Sequence, residues 1–226
     1  MIRRIVALVL AAWTCTALAQ LGQITNRDAV AGLKAALEKG TGAAVGVLGR
    51  TDGYFGNPAV RIPLPESIRR YEGLMRSFGL GKYVDELELT MNRAAEAAVP
   101  QAKTIFVNAV KNMSVQDAKG ILTGGPTSAT DYFRRKTSDS LRAKFLPIVK
   151  RETAKLNLAQ KYDEFAGKGA RFGLVSKEDA SLDGYVTRKA LDGLFYMVGQ
   201  EERKIRQDPV GAGSAIIEKA FGALKR

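Results

Sequence analysis

The chain contains no histidine, and its single cysteine, Cys15, lies near the N-terminus. These two absences remove much of the catalytic repertoire. A Ser-His-Asp or Cys-His nucleophilic centre cannot be assembled, and an ordinary zinc site lacks its ligands. The chemistry left open is that of carboxylate pairs, Ser-Lys pairs, tyrosine and oxygen-ligated calcium or magnesium. Past the leader described next, no stretch is long and apolar enough for a membrane anchor, which takes about 20 apolar residues. There is no internal repeat, no low-complexity tail and no block of like charge of the kind that marks a binding arm.

The first residues are of a different kind. Met1-Ile2-Arg3-Arg4 is followed by an apolar run over 5–13, and Ala17-Leu18-Ala19 precedes Gln20. A basic start, a short apolar core and a small-x-small site define a secretory signal peptide over 1–19, cut after Ala19. Arg3-Arg4 hints at twin-arginine export, but the apolar core follows at once, which favours the general route for unfolded chains. Cys15 falls inside this leader behind a poor lipidation sequence, so residues 20–226 hold no thiol. An exported domain without disulfides must be held by its own core, and about 207 residues suffice for one sizeable domain. With two of the 35 basic residues and none of the 23 acidic ones in the leader, 33 face 23 in the remainder, a net charge of +10. Outside the cytoplasm that charge either serves solubility alone or faces anionic lipid and acidic polymers. Nucleic acid is less available there.

Hydrophobic periodicity predicts an all-α fold, a mostly helical bundle with at most a short β-hairpin near residues 54–62. The first helix spans 26–39 through Val30, Leu33 and Leu37, with Gly40 as its cap and a second short apolar stretch over 43–48. Pro65 begins a helix over 66–78, and Gly79 and Gly81 break it. A long helix over 83–113 bends at Pro100. Ser114 and Asp117 form a capping-box-like start to a short helix that ends at Gly124-Gly125-Pro126. Further helices follow over 128–156 with a bend near Pro147, 158–166, 183–206 and 212–224, and 167–181 is the least structured segment.

Two helices carry candidate functional residues. On the helix after Tyr83, the stripe Asp85, Glu88, Asn92, Glu96 and Lys103 lies beside an alanine-rich apolar face. It is either the polar lining of a cleft or a solvated flank, and charged stripes are usually solvated. On the helix over 183–206, Val186, Ala190, Leu191, Leu194, Met197, Val198 and Ile205 form the apolar face. Glu201 falls in the middle of that face and Glu202 at its edge. A carboxylate aimed at a core needs a basic partner or a raised pKa. Arg93, Arg134 and Arg206 are the available partners, so Glu201 is either a structural ion pair or a functional acid. Asp179-x-Ser181-x-Asp183-Gly184 resembles the start of a calcium loop, but the twelfth position is Ala190 instead of glutamate, so it is read as a turn and helix cap. Gly167-x-Gly169, Gly81-Lys82 and Gly124-Gly125-Pro126 complete no nucleotide or phosphate fingerprint. No catalytic residue, metal site or cofactor is assigned.

Several segments taken in order resemble a known family. They are Asp52-Gly53-Tyr54-Phe55, Ile62-Pro63-Leu64-Pro65, Met91-Asn92-Arg93-Ala94-Ala95-Glu96, Asp117-Ala118 with Ile121-Leu122, and Thr130-x-Tyr132-Phe133. Tyr185-Val186-Thr187, Ala190-Leu191-Asp192-Gly193-Leu194-Phe195, Glu201-Glu202, and Ile205-Arg206 with Pro209 complete the set. It resembles an exported bacterial family described as domain of unknown function 4197, over nearly all of residues 20–226. The resemblance implies a mostly helical, periplasmic protein and brings no activity or cofactor. It points at Asn92, Glu96, Glu201 and Arg206, and these with Arg93 are the candidate binding residues.

The expected function is a non-enzymatic binding module of the bacterial envelope, for a lipid or another anionic or apolar ligand. One alternative is an assembly role as a homo-oligomer or partner-binding protein. The other is a carboxylate-based hydrolase of envelope polysaccharide, in which Glu96 and Glu201 must line one open cleft.

Overall fold

A computed structural model describes residues 26–154, 156, 162–163 and 180–208. The expected leader over 1–19, the helix over 212–224, and most of the helix over 158–166 and of the segment over 167–181 lie outside these residues. The described chain is all-α, with no strand among its residues. The helices are α1 (Asn26–Leu48), the short α2 (Glu66–Arg69) and α3 (Glu72–Ser77), α4 (Gly81–Ala98), α5 (Ala102–Lys111), α6 (Val115–Thr123), α7 (Ser128–Thr153) and α8 (Leu182–Gln207). The hairpin expected near 54–62 is not formed. Residues 49–60 run instead mostly as successive turns, with the amides of Gly53, Gly56 and Val60 bonded to the carbonyls of Arg50, Asp52 and Asn57.

Helix α1 extends nine residues past its expected end. Leu33, Ala36, Leu37, Gly40, Thr41, Ala44, Val45 and Leu48 are all buried at spacings of three and four, so one apolar stripe continues through Gly40. Gly40 is therefore not a cap. A Cβ there would stand 3.1 Å from Ile205 Cδ1, and the missing side chain lets α8 approach. The expected helix over 66–78 is divided into α2 and α3 at Arg70-Tyr71.

Pro100 bends the chain as expected, through a 3-10 turn at Val99–Gln101 between α4 and α5. Ser114 and Asp117 form a complete capping box at the start of α6. Helix α7 tolerates Pro147 within its length and buries Phe133, Thr137, Leu141, Phe145, Val149 and Thr153 along one side. Phe106 of α5 meets Phe133 of α7 edge to face at 5.0 Å and Phe195 of α8 at 6.3 Å. These rings sit where three helices converge.

Helix α8 is the central element, packed mainly on α7 and α1. Its buried face does not stay in phase. In the first half Leu182, Tyr185, Val186, Thr187, Ala190, Leu191, Gly193 and Leu194 are buried, and in the second Phe195, Val198, Gly199, Glu202 and Ile205. At ~100° per residue the centre of burial rotates by roughly a third of a turn. The first half lies beneath the turns after α1. There the Tyr54 hydroxyl donates to the Ala190 carbonyl at 2.6 Å, and that of Tyr185 donates to the Pro63 carbonyl at 3.0 Å. The second half lies against the start of α7, where Gly199 faces Thr130.

Gly193 is where the Tyr54 ring crosses α8, and a Cβ there would stand 2.8 Å from Tyr54 Cε1. Gly193→Ala is expected to destabilise the protein by about 1–3 kcal/mol through overpacking. Gly46→Ala, on an exposed part of α1 with no neighbour within 4 Å of the new Cβ, should stabilise it by about 0.5–1 kcal/mol. Urea unfolding followed by helical circular dichroism measures both. Equal effects at the two positions would mean that Tyr54 does not pack against α8.

Candidate functional site

Four of the five candidate residues gather into two clusters, each built on side chains one helical turn apart. The first belongs to α4. Asn92 is fully buried, and its amide pairs with the backbone of Ile62 in both directions. Asn92 Oδ1 accepts from the Ile62 N–H at 2.8 Å, and Nδ2 donates to the Ile62 carbonyl at 2.9 Å and to the Glu88 carbonyl at 2.8 Å. Ile62, just past the last of the turns after α1, thus finds its backbone partner in an asparagine side chain. Four residues on, Glu96 Oε1 accepts from the N–H groups of Tyr54 and Phe55 at 3.0 and 3.1 Å. Glu96 Oε2 accepts from Arg93 Nη1 at 2.6 Å, and Arg93 Nη2 reaches Asp52 at 2.8 Å. Asp52 holds a left-handed conformation with φ of 62°, and Gly53 allows the chain to pass the Leu48 carbonyl, which a Cβ would approach to 2.4 Å. Arg61 grips Glu88 through Nε and Nη2 and lies 4.3 Å above the Phe55 ring. Burial pushes the Tyr54 phenol well above its ordinary pKa, and the nearby Glu96 charge adds to the effect.

The stripe on α4 is therefore neither a cleft lining nor, at Asn92 and Glu96, a solvated flank. It fastens the turns over 52–60 and the adjoining Ile62 to the bundle. Buried backbone amides need acceptors, and a buried carboxylate needs several donors. Glu96 and these turns satisfy each other.

The second cluster corrects the reading of α8. Glu202, not Glu201, enters the interior, because the buried face has rotated by that point. Glu202 Oε1 accepts from the Ala129 N–H at 3.0 Å, and Oε2 from the Thr130 N–H and hydroxyl at 2.9 and 2.8 Å. These are amides of the first turn of α7, whose own N-cap residue, Thr127, makes no side-chain cap bond. Glu202 supplies that cap from another helix, with its charge at the positive end of the α7 dipole. Arg206, one turn further on, bonds Glu202 Oε1 through Nε and Nη2 at 3.0 and 2.8 Å. Nη2 also donates to the Ile121 carbonyl in the last turn of α6 at 2.9 Å and to Ser128 Oγ at 2.7 Å. Anion meets a helix start and cation meets a helix end, and together they hold the α6–α7 turn.

Glu201 lies apart from both clusters. It pairs with Lys204 at 2.7 Å, not with Arg93, Arg134 or Arg206, and the lysine side chain is 68% exposed. It lines an open groove of about 400 Å³ between α1 and α8, with Lys39, Gly40, Ala43, Lys204, Ile205, Gln207 and Asp208. A second open groove, about 320 Å³, lies between α5 and α7 and is lined by Asn108, Asn112, Tyr132, Lys136 and Ser140 among others. Glu96 lines neither of these two grooves. Both oxygens of Glu96 and of Glu202 are occupied by donors, which leaves neither carboxylate placed to move a proton. At the start of α8, Ser181 accepts from the Gly184 N–H at 3.1 Å, as a helix cap.

Fold and clusters together define an all-helical domain in which the buried carboxylates of Glu96 and Glu202 accept from backbone amides of other segments. Over residues 23–222 the chain matches the family described as "Protein of unknown function (DUF4197)", and it belongs to that family. No match was found among curated proteins or among solved structures. The segments that carry the family resemblance largely coincide with the two clusters and with the Tyr54–Gly193 crossing.

Glu202 was missed because only apolar residues were used to set the face of α8. Counting the buried Phe195 and Gly199 would have shifted the face toward it. Glu202→Ala is expected to cost about 3–5 kcal/mol, since it leaves two helix-start amides and the Thr130 hydroxyl without their acceptor and removes the carboxylate paired with Arg206. Glu201→Ala should cost less than about 1 kcal/mol, as expected for a pair with an exposed lysine. Thermal unfolding of the two variants separates the cases, and a larger loss at Glu201 would overturn the assignment.

Proposed function

We propose that the protein is a non-catalytic binding module of the bacterial envelope, exported by a leader cut after Ala19 and working in the periplasm. It binds through a surface. The observation that carries this reading is the helical excursion between Glu66 and Tyr83. Neither α2 nor α3 contains a buried residue, yet Tyr71, Leu74, Phe78, Leu80 and Tyr83 are all exposed, Phe78 to 73%. Helices this short are not stable alone, and a cluster of large apolar side chains held in water marks an interaction site. The engagement of Asn92, Glu96, Glu202 and Arg206 in bonds to backbone supports binding over carboxylate hydrolysis.

The test is a photo-crosslinking benzophenone amino acid placed at Phe78 in living cells, with the same probe at the exposed Asp139 of α7 as control. An adduct of defined mass is expected at position 78 and none at 139. No adduct at position 78 in folded protein would overturn the reading.

A further inference from the structure

The geometry points to an anionic lipid bilayer as what this surface contacts, an inference that rests on the reading above and names its partner. Leu74 lies within α3, and Tyr71 and Phe78 are the residues that cap its two ends, at i, i+3 and i+7. Gly79, at φ of 77°, reverses the chain, with the Leu80 N–H bonded to the Met75 carbonyl at 2.9 Å. Leu80 and Tyr83 follow at the start of α4. Ile68 and Met75, half-buried against the core, attach the excursion to the body. The outcome is a protruding apolar tip with two tyrosines and a phenylalanine, not a groove shaped for a peptide. Aromatic side chains of this kind favour the headgroup boundary of a membrane.

The charges around the tip are mostly paired with one another. Glu66 pairs with Arg69, Glu72 and Asp85 pair with Arg76, and Glu88 pairs with Arg61. Arg76 offsets only one of its two carboxylates, so one negative charge there and that of Glu86 remain, and residues 61–88 carry five cations and five anions; the pull toward anionic lipid comes from the net charge of the chain as a whole. Arg70 and Lys82 flank the apolar side chains and form no ion pair among the described residues. Unpaired cations beside an apolar stripe are the pattern of an interfacial helix on anionic lipid. Residues 20–226 carry a net charge of +10, which draws the protein toward such a surface and opposes pairing with a second copy.

The test uses the chain begun at Gln20, so that the apolar leader cannot itself enter a bilayer. The family match and the described fold both begin after that point. This chain contains no tryptophan, since Trp13 lies in the leader, so Phe78→Trp supplies a sole reporter. With vesicles of phosphatidylglycerol and phosphatidylethanolamine, its emission should shift to the blue and be quenched by brominated lipid, while Asp139→Trp shows neither effect. Co-flotation with these vesicles should weaken at least about tenfold in Leu74→Ser/Phe78→Ser, whose circular dichroism should match the parent, and should weaken in Arg70→Glu/Lys82→Glu and with added salt. Three results would overturn the proposal. The first is no flotation with any vesicle. The second is binding that Leu74→Ser/Phe78→Ser leaves unchanged, which means diffuse charge attraction. The third is a dimer in light scattering that this variant abolishes, with no vesicle binding. That last result makes the occupant a second copy and leaves the surface reading standing.

Discussion

A carboxylate that accepts from two successive backbone amides is the interaction on which the rest of this fold depends. It occurs twice, at Glu96 with Tyr54 and Phe55, and at Glu202 with Ala129 and Thr130. A charge taken out of water is costly unless several donors replace the solvent. Here each carboxylate has those donors, with an arginine completing the set. The benefit runs both ways. The turns after α1 and the start of α7 both present buried N–H groups that no neighbouring carbonyl takes, and such groups are destabilising when left unpaired. Each cluster thus joins a helix to an irregular segment that its own local bonds do not satisfy.

This arrangement changes what a buried acid means in the molecule. Polar residues on an apolar background invite a catalytic interpretation, because active sites shift the properties of carboxylates. In this chain the same residue types hold backbone in place, and the phenol of Tyr54, kept protonated by burial beside Glu96, is one more backbone donor. The exceptional feature is on the outside instead, where an apolar tip has been left in water on a protein otherwise well supplied with surface charge.

Much of the helical framework was legible in the sequence because periodicity and punctuation agreed. Pro100, the Ser114–Asp117 box and the glycines at 124–125 each ended or began an element where expected. The alternation at 60–62 suggested an extended piece where the chain turns, and nothing local to Ile62 announces its partner, an asparagine thirty residues away. Gly40 was misread because a glycine at a helix end and a glycine at a helix crossing look alike until the second helix is in place. The candidate site was half visible. Asn92, Arg93, Glu96 and Arg206 were found as polar residues at helical spacing, whereas Glu202 was displaced by its neighbour because the buried side of α8 rotates along its length. Which of two adjacent carboxylates points inward depends on the packing of α7 and α8, and no single-helix projection contains that information.

The Tyr54 hydroxyl bond to Ala190 spans 136 residues of chain, and the Tyr185 bond to Pro63 spans 122. Contacts so distant close large loops and cannot form until nearly all of the chain exists. The N-terminal half therefore emerges from the ribosome without the helix against which its turns are fastened. Slow, late closure of this kind keeps a chain pliable during synthesis, which suits a protein that we propose crosses a membrane unfolded and folds on the far side.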